Sequence, residues 1–111
     1  EYPLVGAGLD GRGEVVGVAD TGLDANHCYF ADAAHPIPFV NVSGNDTSLS
    51  PASLGVGTSN HSKVAVYVEF ADGLDAPSGH GTHVCGSVAG NGTGKPGLLG
   101  SEGGMAPSAK I

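Results

Sequence analysis

The chain has 111 residues, a net charge of −7, twenty glycines and no tryptophan. Four Lys and Arg cannot form the cluster that a phosphate backbone or an anionic membrane surface requires, so nucleic acid and lipid headgroups are excluded as partners. Hydrophobic content of 40% suffices for a modest core, but no apolar run approaches the ~20 residues of a membrane span.

In chain order, Glu1-Tyr2-Pro3-Leu4 carries no signal-peptide pattern and reads as the interior of a longer precursor. Gly6-Ala7-Gly8-Leu9-Asp10-Gly11 has the G-x-G-x-x-G spacing, but it precedes a strand instead of following one, so dinucleotide binding is rejected. Residues 14–19 (Glu-Val-Val-Gly-Val-Ala) form an almost continuous apolar run, expected as a strand buried on both faces. The run ends in Asp20-Thr21-Gly22, a turn. Residues 31–62 are polar, contain Pro36, Pro38 and Pro51, and read as a surface excursion with one short strand near Phe39 to Val42. Lys63 to Phe70 is a second β-branched run.

From His80 to about Ala89 the pattern turns helical, with Val84, Cys85, Val88 and Ala89 on one face and Ser78 as the expected cap. Asn91 to Gly104 is a glycine-rich loop, and Met105 to Ile111 begins a third strand. Strand, strand, helix and strand onset make an α/β layout.

Four of the five asparagines, Asn41, Asn45, Asn60 and Asn91, open Asn-x-Ser/Thr triplets. This clustering points to N-glycosylation and to a secreted or vesicular protein of the secretory pathway. Cys28 and Cys85 suit an oxidising compartment if they pair.

Asp20 ends an apolar strand and His80 opens a helix, the two positions where α/β proteins collect functional groups. A helix start disfavours imidazolium, whereas a nearby carboxylate favours it and fixes the tautomer by accepting the Nδ1 proton. A histidine under both influences suits proton abstraction from a hydroxyl near neutral pH. His83, three residues on, raises a two-histidine metal site as a competitor. Zinc needs three or four ligands, and His27, His35 and His61 lie in unrelated contexts, so no metal site is expected. Asp72 and Asp75 read as a solvated acidic loop, with a cleft wall favouring basic residues as the alternative.

The segment Val16-Gly17-Val18-Ala19-Asp20-Thr21-Gly22-Leu23-Asp24 resembles the aspartate motif of subtilisin-like serine peptidases (subtilases, peptidase family S8). Gly79-His80-Gly81-Thr82-His83-Val84-Cys85-Gly86 resembles their histidine motif, and Gly104 to Ile111 the strand that follows. The resemblance implies that residues 1–111 are the N-terminal part of a catalytic domain, an incomplete parallel β-sheet flanked by helices. It further implies hydrolysis of peptide bonds in polypeptide substrates through an acyl-enzyme, without a cofactor. Asp20 would orient the imidazole and His80 would act as general base and acid. Thr21, Gly22, Gly81, Thr82 and His83 would support them, His83 as a hydrogen-bonding neighbour. The family's serine, in a Gly-Thr-Ser segment, and its oxyanion asparagine are absent, so the partner needed is the remainder of the domain. The alternative is a catalytically inactive fragment or pseudo-peptidase used for binding.

Two departures matter. Asp20 and His80 stand 60 residues apart, longer than in compact bacterial members, so 31–62 is expected to be an insertion. Cys28-Tyr29 stands where the family commonly has Pro-Asp, which removes a usual calcium ligand despite Asp24 and Asp32 nearby. Because the resemblance brings the two motifs together, a Cys28–Cys85 disulfide is expected, with a pair of buried free thiols as the alternative. It would close a 58-residue loop and stabilise by about 4 kcal/mol in the chain-entropy account.

Overall fold

The computed structural model describes residues 3–42, 49–93 and 102–111. Its elements are α1 (Pro3–Gly6), β1 (Phe39–Asn41), β2 (Tyr67–Glu69) and α2 (His80–Ala89). The Gly6–Gly11 segment begins at the last residue of α1, a single helical turn, and opens no helix of its own.

β1 and β2 pair in parallel, Phe39 opposite Tyr67, Val40 opposite Val68 and Asn41 opposite Glu69. Beyond β2 the pairing continues as single bonds. Ile111 donates to the Lys63 carbonyl and accepts from the Ala65 N–H, the alternation of a parallel pair. Val16 donates to the Lys110 carbonyl at 2.9 Å, Lys110 donates to the Glu14 carbonyl at 3.0 Å, and Val15 and Lys110 form an isolated parallel bridge. Segments 14–16, 110–111, 63–69 and 39–41 therefore lie side by side, compatible with an α/β sheet.

The two long apolar runs are mostly not strand. Only Tyr67–Glu69 of the second run is regular, and residues 14–19 alternate between exposed and half-buried. A two-faced parallel strand needs a layer on each side, and here the outer face has none: Val15 is 43% and Phe70 73% exposed. The core lies on the other side, where Leu23, Phe30, Val64 and Cys85 pack with Val18, Ile37, Tyr67 and Ile111 at its edge.

α2 buries Gly81, Cys85 and Ala89, an i, i+4, i+8 stripe; Val84 and Val88, expected on the same face, are only half-buried. Two glycines within ten residues make α2 a poor autonomous helix, so its ends need help from elsewhere. At the C-terminus, Met105 donates to the Ser87 carbonyl and Ala106 to the Val88 carbonyl, satisfying groups a helix cannot satisfy itself. Lys63 fastens the same 105–111 segment from inside, its buried Nζ donating to the Pro107 carbonyl at 2.9 Å and to that of Ala109.

The 31–62 excursion is tied at its base. Asp32 accepts the Ser62 N–H at 2.8 Å, the Ala34 N–H at 2.9 Å and a hydrogen bond from His35, which together hold its carboxyl well below the usual range.

Candidate active site

Asp20 ends the 14–20 segment and His80 is the first residue of α2. Their side chains meet: His80 Nδ1 lies 2.7 Å from Asp20 Oδ1. An ionised carboxylate only accepts, so the proton of this bond sits on Nδ1 and Nε2 is the free base. Asp20 also accepts the Thr21 N–H at 2.7 Å. Both bonds hold Asp20 below its ordinary value, the His80 bond contributing most. The same bond, reinforced by the Asp20 charge, raises His80 above its ordinary value. The imidazole is 63% exposed against 18% for Asp20, so the ring stays open to a reacting group.

This approach depends on two glycines. Gly22 has φ 131°, in the region disfavoured for side-chain-bearing residues, and a methyl group there would run into the Leu74 carbonyl. A methyl group on Gly81 would strike the carbonyl oxygen of Gly22. Backbone is thus packed against backbone where the strand tip meets the helix.

The helix start is capped differently from the expectation. Ser78 does not cap; the N-cap is Gly79, in a left-handed conformation at φ 67°, with no side-chain cap of its own. The open N–H groups are filled from distant segments instead. Thr21 Oγ1 accepts the Gly81 N–H at 2.9 Å, and Asp75 Oδ2 accepts the Thr82 N–H at 2.9 Å. Thr82 Oγ1 donates to Asp75 Oδ2 at 2.6 Å and accepts the Asp24 N–H at 2.8 Å. Thr21 Oγ1 donates to Asp75 Oδ1 at 2.7 Å.

Asp75 is therefore not part of a solvated loop. The Thr82 hydroxyl first, then that of Thr21, hold its carboxyl down at about 2. Asp72 keeps the expected character, exposed and accepting only the local Leu74 N–H at 2.9 Å. The signal for Asp75 was present but weak: an acid five residues before a helix whose third residue is Thr, a pattern that also fits many surface loops.

His83 sits apart from the pair. It is exposed, and its ring makes no hydrogen bond among the described residues, so the expected bonding role is absent here. It lines an open groove together with His27, Phe39 and Asp75.

The expected disulfide is absent as well. Cys28 is exposed, its Sγ 3.9 Å from His27 Nδ1, whereas Cys85 is buried in the core. One thiol turns outward and the other inward, so nearness of the two motifs does not bring the sulfurs together. Burial pushes the Cys85 thiol up to about 11, which leaves it a neutral apolar filler.

Among the glycosylation candidates, Asn41 and Asn60 are exposed. Asn91 is half-buried and accepts the Thr93 N–H at 2.9 Å, and Asn45 lies outside the described residues. Near the usual calcium position, Asp32 accepts three hydrogen bonds, and no cluster of three or more His, Cys, Asp or Glu side chains forms among the described residues. Among those residues, too, no helix is long and apolar enough to cross a membrane.

A carboxylate at the end of the 14–20 segment is thus bonded to an open imidazole at a helix start. Comparison with known proteins identifies the class. The model of the Subtilase family matches residues 11–111, and the chain belongs to that family. That family is one of peptidases.

The chain is similar to three proteins of Dictyostelium discoideum named serine protease/ABC transporter B family protein. It is 41% identical to tagB over 103 residues, 40% to tagD over 104 and 36% to tagA over 105. Each alignment covers at least 93% of this chain but 5% of the relative's length. No solved structure matches the chain.

Proposed function

We propose that this chain is the part of a serine endopeptidase that carries the acid–base half of the catalytic triad. A serine outside residues 1–111 supplies the nucleophile. The observation that carries the reading is the 2.7 Å bond between His80 Nδ1 and Asp20 Oδ1, with the rest of the ring exposed. Among the described residues His80 makes no hydrogen bond to a serine hydroxyl, so the pair awaits a partner group.

In the reaction, Nε2 of His80 takes the serine proton as the oxygen attacks the scissile carbonyl. It then gives that proton to the leaving amine, and an acyl-enzyme remains. Water repeats the exchange and frees the acid. Asp20 keeps its own negative charge throughout, holding the tautomer and stabilising the imidazolium.

The apolar outer face supports the need for a completing partner. An open groove of about 510 Å³ runs from Phe70, Val68 and Val66 down to the core residues Leu23, Val64 and Cys85, so the core itself is incompletely covered. We assign its covering to the remainder of the same catalytic domain, and the protein to the secretory pathway on the strength of the exposed Asn41 and Asn60 acceptors.

The test is peptide hydrolysis by the full-length protein, with labelling by a serine-directed phosphonate. His80→Ala lowers kcat by about 10⁶-fold and Asp20→Asn by about 10⁴-fold, the sizes these losses have in well-studied serine proteases, subtilisin among them. Residues 1–111 alone hydrolyse nothing. A full-length protein without activity or labelling supports the second reading, an inactive relative used for binding.

A further inference from the structure

The triad reading leaves Asp75 unused, yet its carboxylate accepts three hydrogen bonds, one from the Asp20 turn and two from the first turn of α2. We propose that Asp75 is a positioning residue: its ionised carboxylate sets the direction of one hydrogen-bond chain that locks the Asp20 turn onto the first turn of α2. The proposal rests on the triad reading and extends it.

Donor and acceptor chemistry fixes the chain. A carboxylate can only accept. The Thr21 hydroxyl must therefore point its proton at Asp75 Oδ1, which leaves its lone pairs to accept the Gly81 N–H. The Thr82 hydroxyl must point its proton at Asp75 Oδ2, which leaves its lone pairs to accept the Asp24 N–H. Oδ2 also takes the Thr82 N–H directly.

From one end, Gly81 N–H donates to the Thr21 hydroxyl and that hydroxyl to Asp75. From the other, Asp24 N–H donates to the Thr82 hydroxyl and that hydroxyl to Asp75. Thr21 and Asp24 flank the Gly22 turn that follows Asp20. Gly81 and Thr82 follow His80. The two catalytic side chains are each one residue from a link, so the carboxylate governs their spacing without touching either ring. Its charge also lies at the positive end of a helix that lacks a cap of its own.

An amide at position 75 cannot reproduce this. One of its two atoms donates, so one threonine hydroxyl loses the acceptor for its proton, turns that proton away, and must accept from the amide in competition with its backbone N–H. Asp75→Asn in the full-length protein therefore lowers kcat by about 10- to 100-fold with KM within about twofold, as expected for sub-ångström misplacement of a reacting pair. In the same variant the His80 ring, followed by histidine-selective NMR, takes its proton at lower pH, and the Gly81 and Thr82 amides exchange faster.

Thr82→Ser keeps the wild-type values and Thr82→Val copies Asp75→Asn. The double variant Asp75→Asn with Thr82→Val is no worse than either single one, because they cut the same chain. Asp72→Asn, in the same loop, changes nothing.

Should Asp75→Asn fail to fold, the Thr82→Ser and Thr82→Val pair decides. Should the full-length protein prove inactive, the triad reading fails while the ring titration and amide exchange still decide this one. The proposal is overturned if Asp75→Asn leaves the His80 titration and amide exchange unchanged. It is equally overturned if the variant merely melts lower while its folded molecules keep wild-type kcat, or if Thr82→Val matches Thr82→Ser.

Discussion

The strand-tip junction and the outer face of the sheet come from the same chain and are built in opposite ways. At the junction, Asp20, Thr21, Gly22, Asp75, His80, Gly81 and Thr82 leave little slack: backbone meets backbone at two glycines, and hydroxyls, amides and carboxylates are matched donor to acceptor. On the outer face, Val15 and Phe70 stand in solvent, and the apolar runs form only three residues of strand in β2. Polar pairing over short distances organises locally. Apolar strands need a second layer before burial can stabilise them, since their gain scales with the area removed from water.

Three substitutions test this difference, and the first has the greatest effect. Gly81→Val drives a side chain into the Gly22 carbonyl and forces the turn off the helix. Peptide hydrolysis by the full-length protein then falls by at least about 10²-fold, and chemical denaturation shows a loss of about 2–4 kcal/mol. Unchanged activity would mean the junction has slack after all.

Phe70→Ala separates the two regions by context. In residues 1–111 alone it changes stability by less than about 0.5 kcal/mol, since the ring is already exposed. In the full-length protein, where a further layer covers it, the same substitution costs about 3 kcal/mol, measured by urea denaturation. Equal small effects in both would show that nothing covers this face.

Lys63 gives the smallest and most diagnostic change. Burial lowers its amine from the ordinary 10.5 to about 8. Between those values the unfolded chain holds more protons than the folded one, so stability rises as pH is raised from 8 towards 10.5. Lys63→Met flattens that slope in a melting series; a slope that survives belongs to other groups.

Much of the site was legible in the sequence, because its signals are local. Asp20-Thr21-Gly22 breaks an apolar run, and Gly79-His80-Gly81-Thr82 opens a helix whose observed span, His80–Ala89, is the one the pattern predicts. The short strand near Phe39 was legible for the same reason. What could not be read depended on distant partners. The cap of α2 came from Thr21 and Asp75 instead of the adjacent Ser78, because left-handed Gly79 takes the N-cap place without a side chain to offer. Asp75 looked like loop because its bonding partners lie seven and 54 residues away. The Cys28–Cys85 bridge failed because proximity of two motifs says nothing of which way each thiol points.

The Asp20–His80 bond is the centre of the site, and the ring of His80 reports on it directly. Histidine-selective NMR titration of the full-length protein should show His80 binding its proton at a pH above the ordinary 6.5, with that elevation lost in Asp20→Asn. A His80 that titrates at or below the ordinary value, and does so identically in Asp20→Asn, would mean that the carboxylate and the imidazole do not act as a pair.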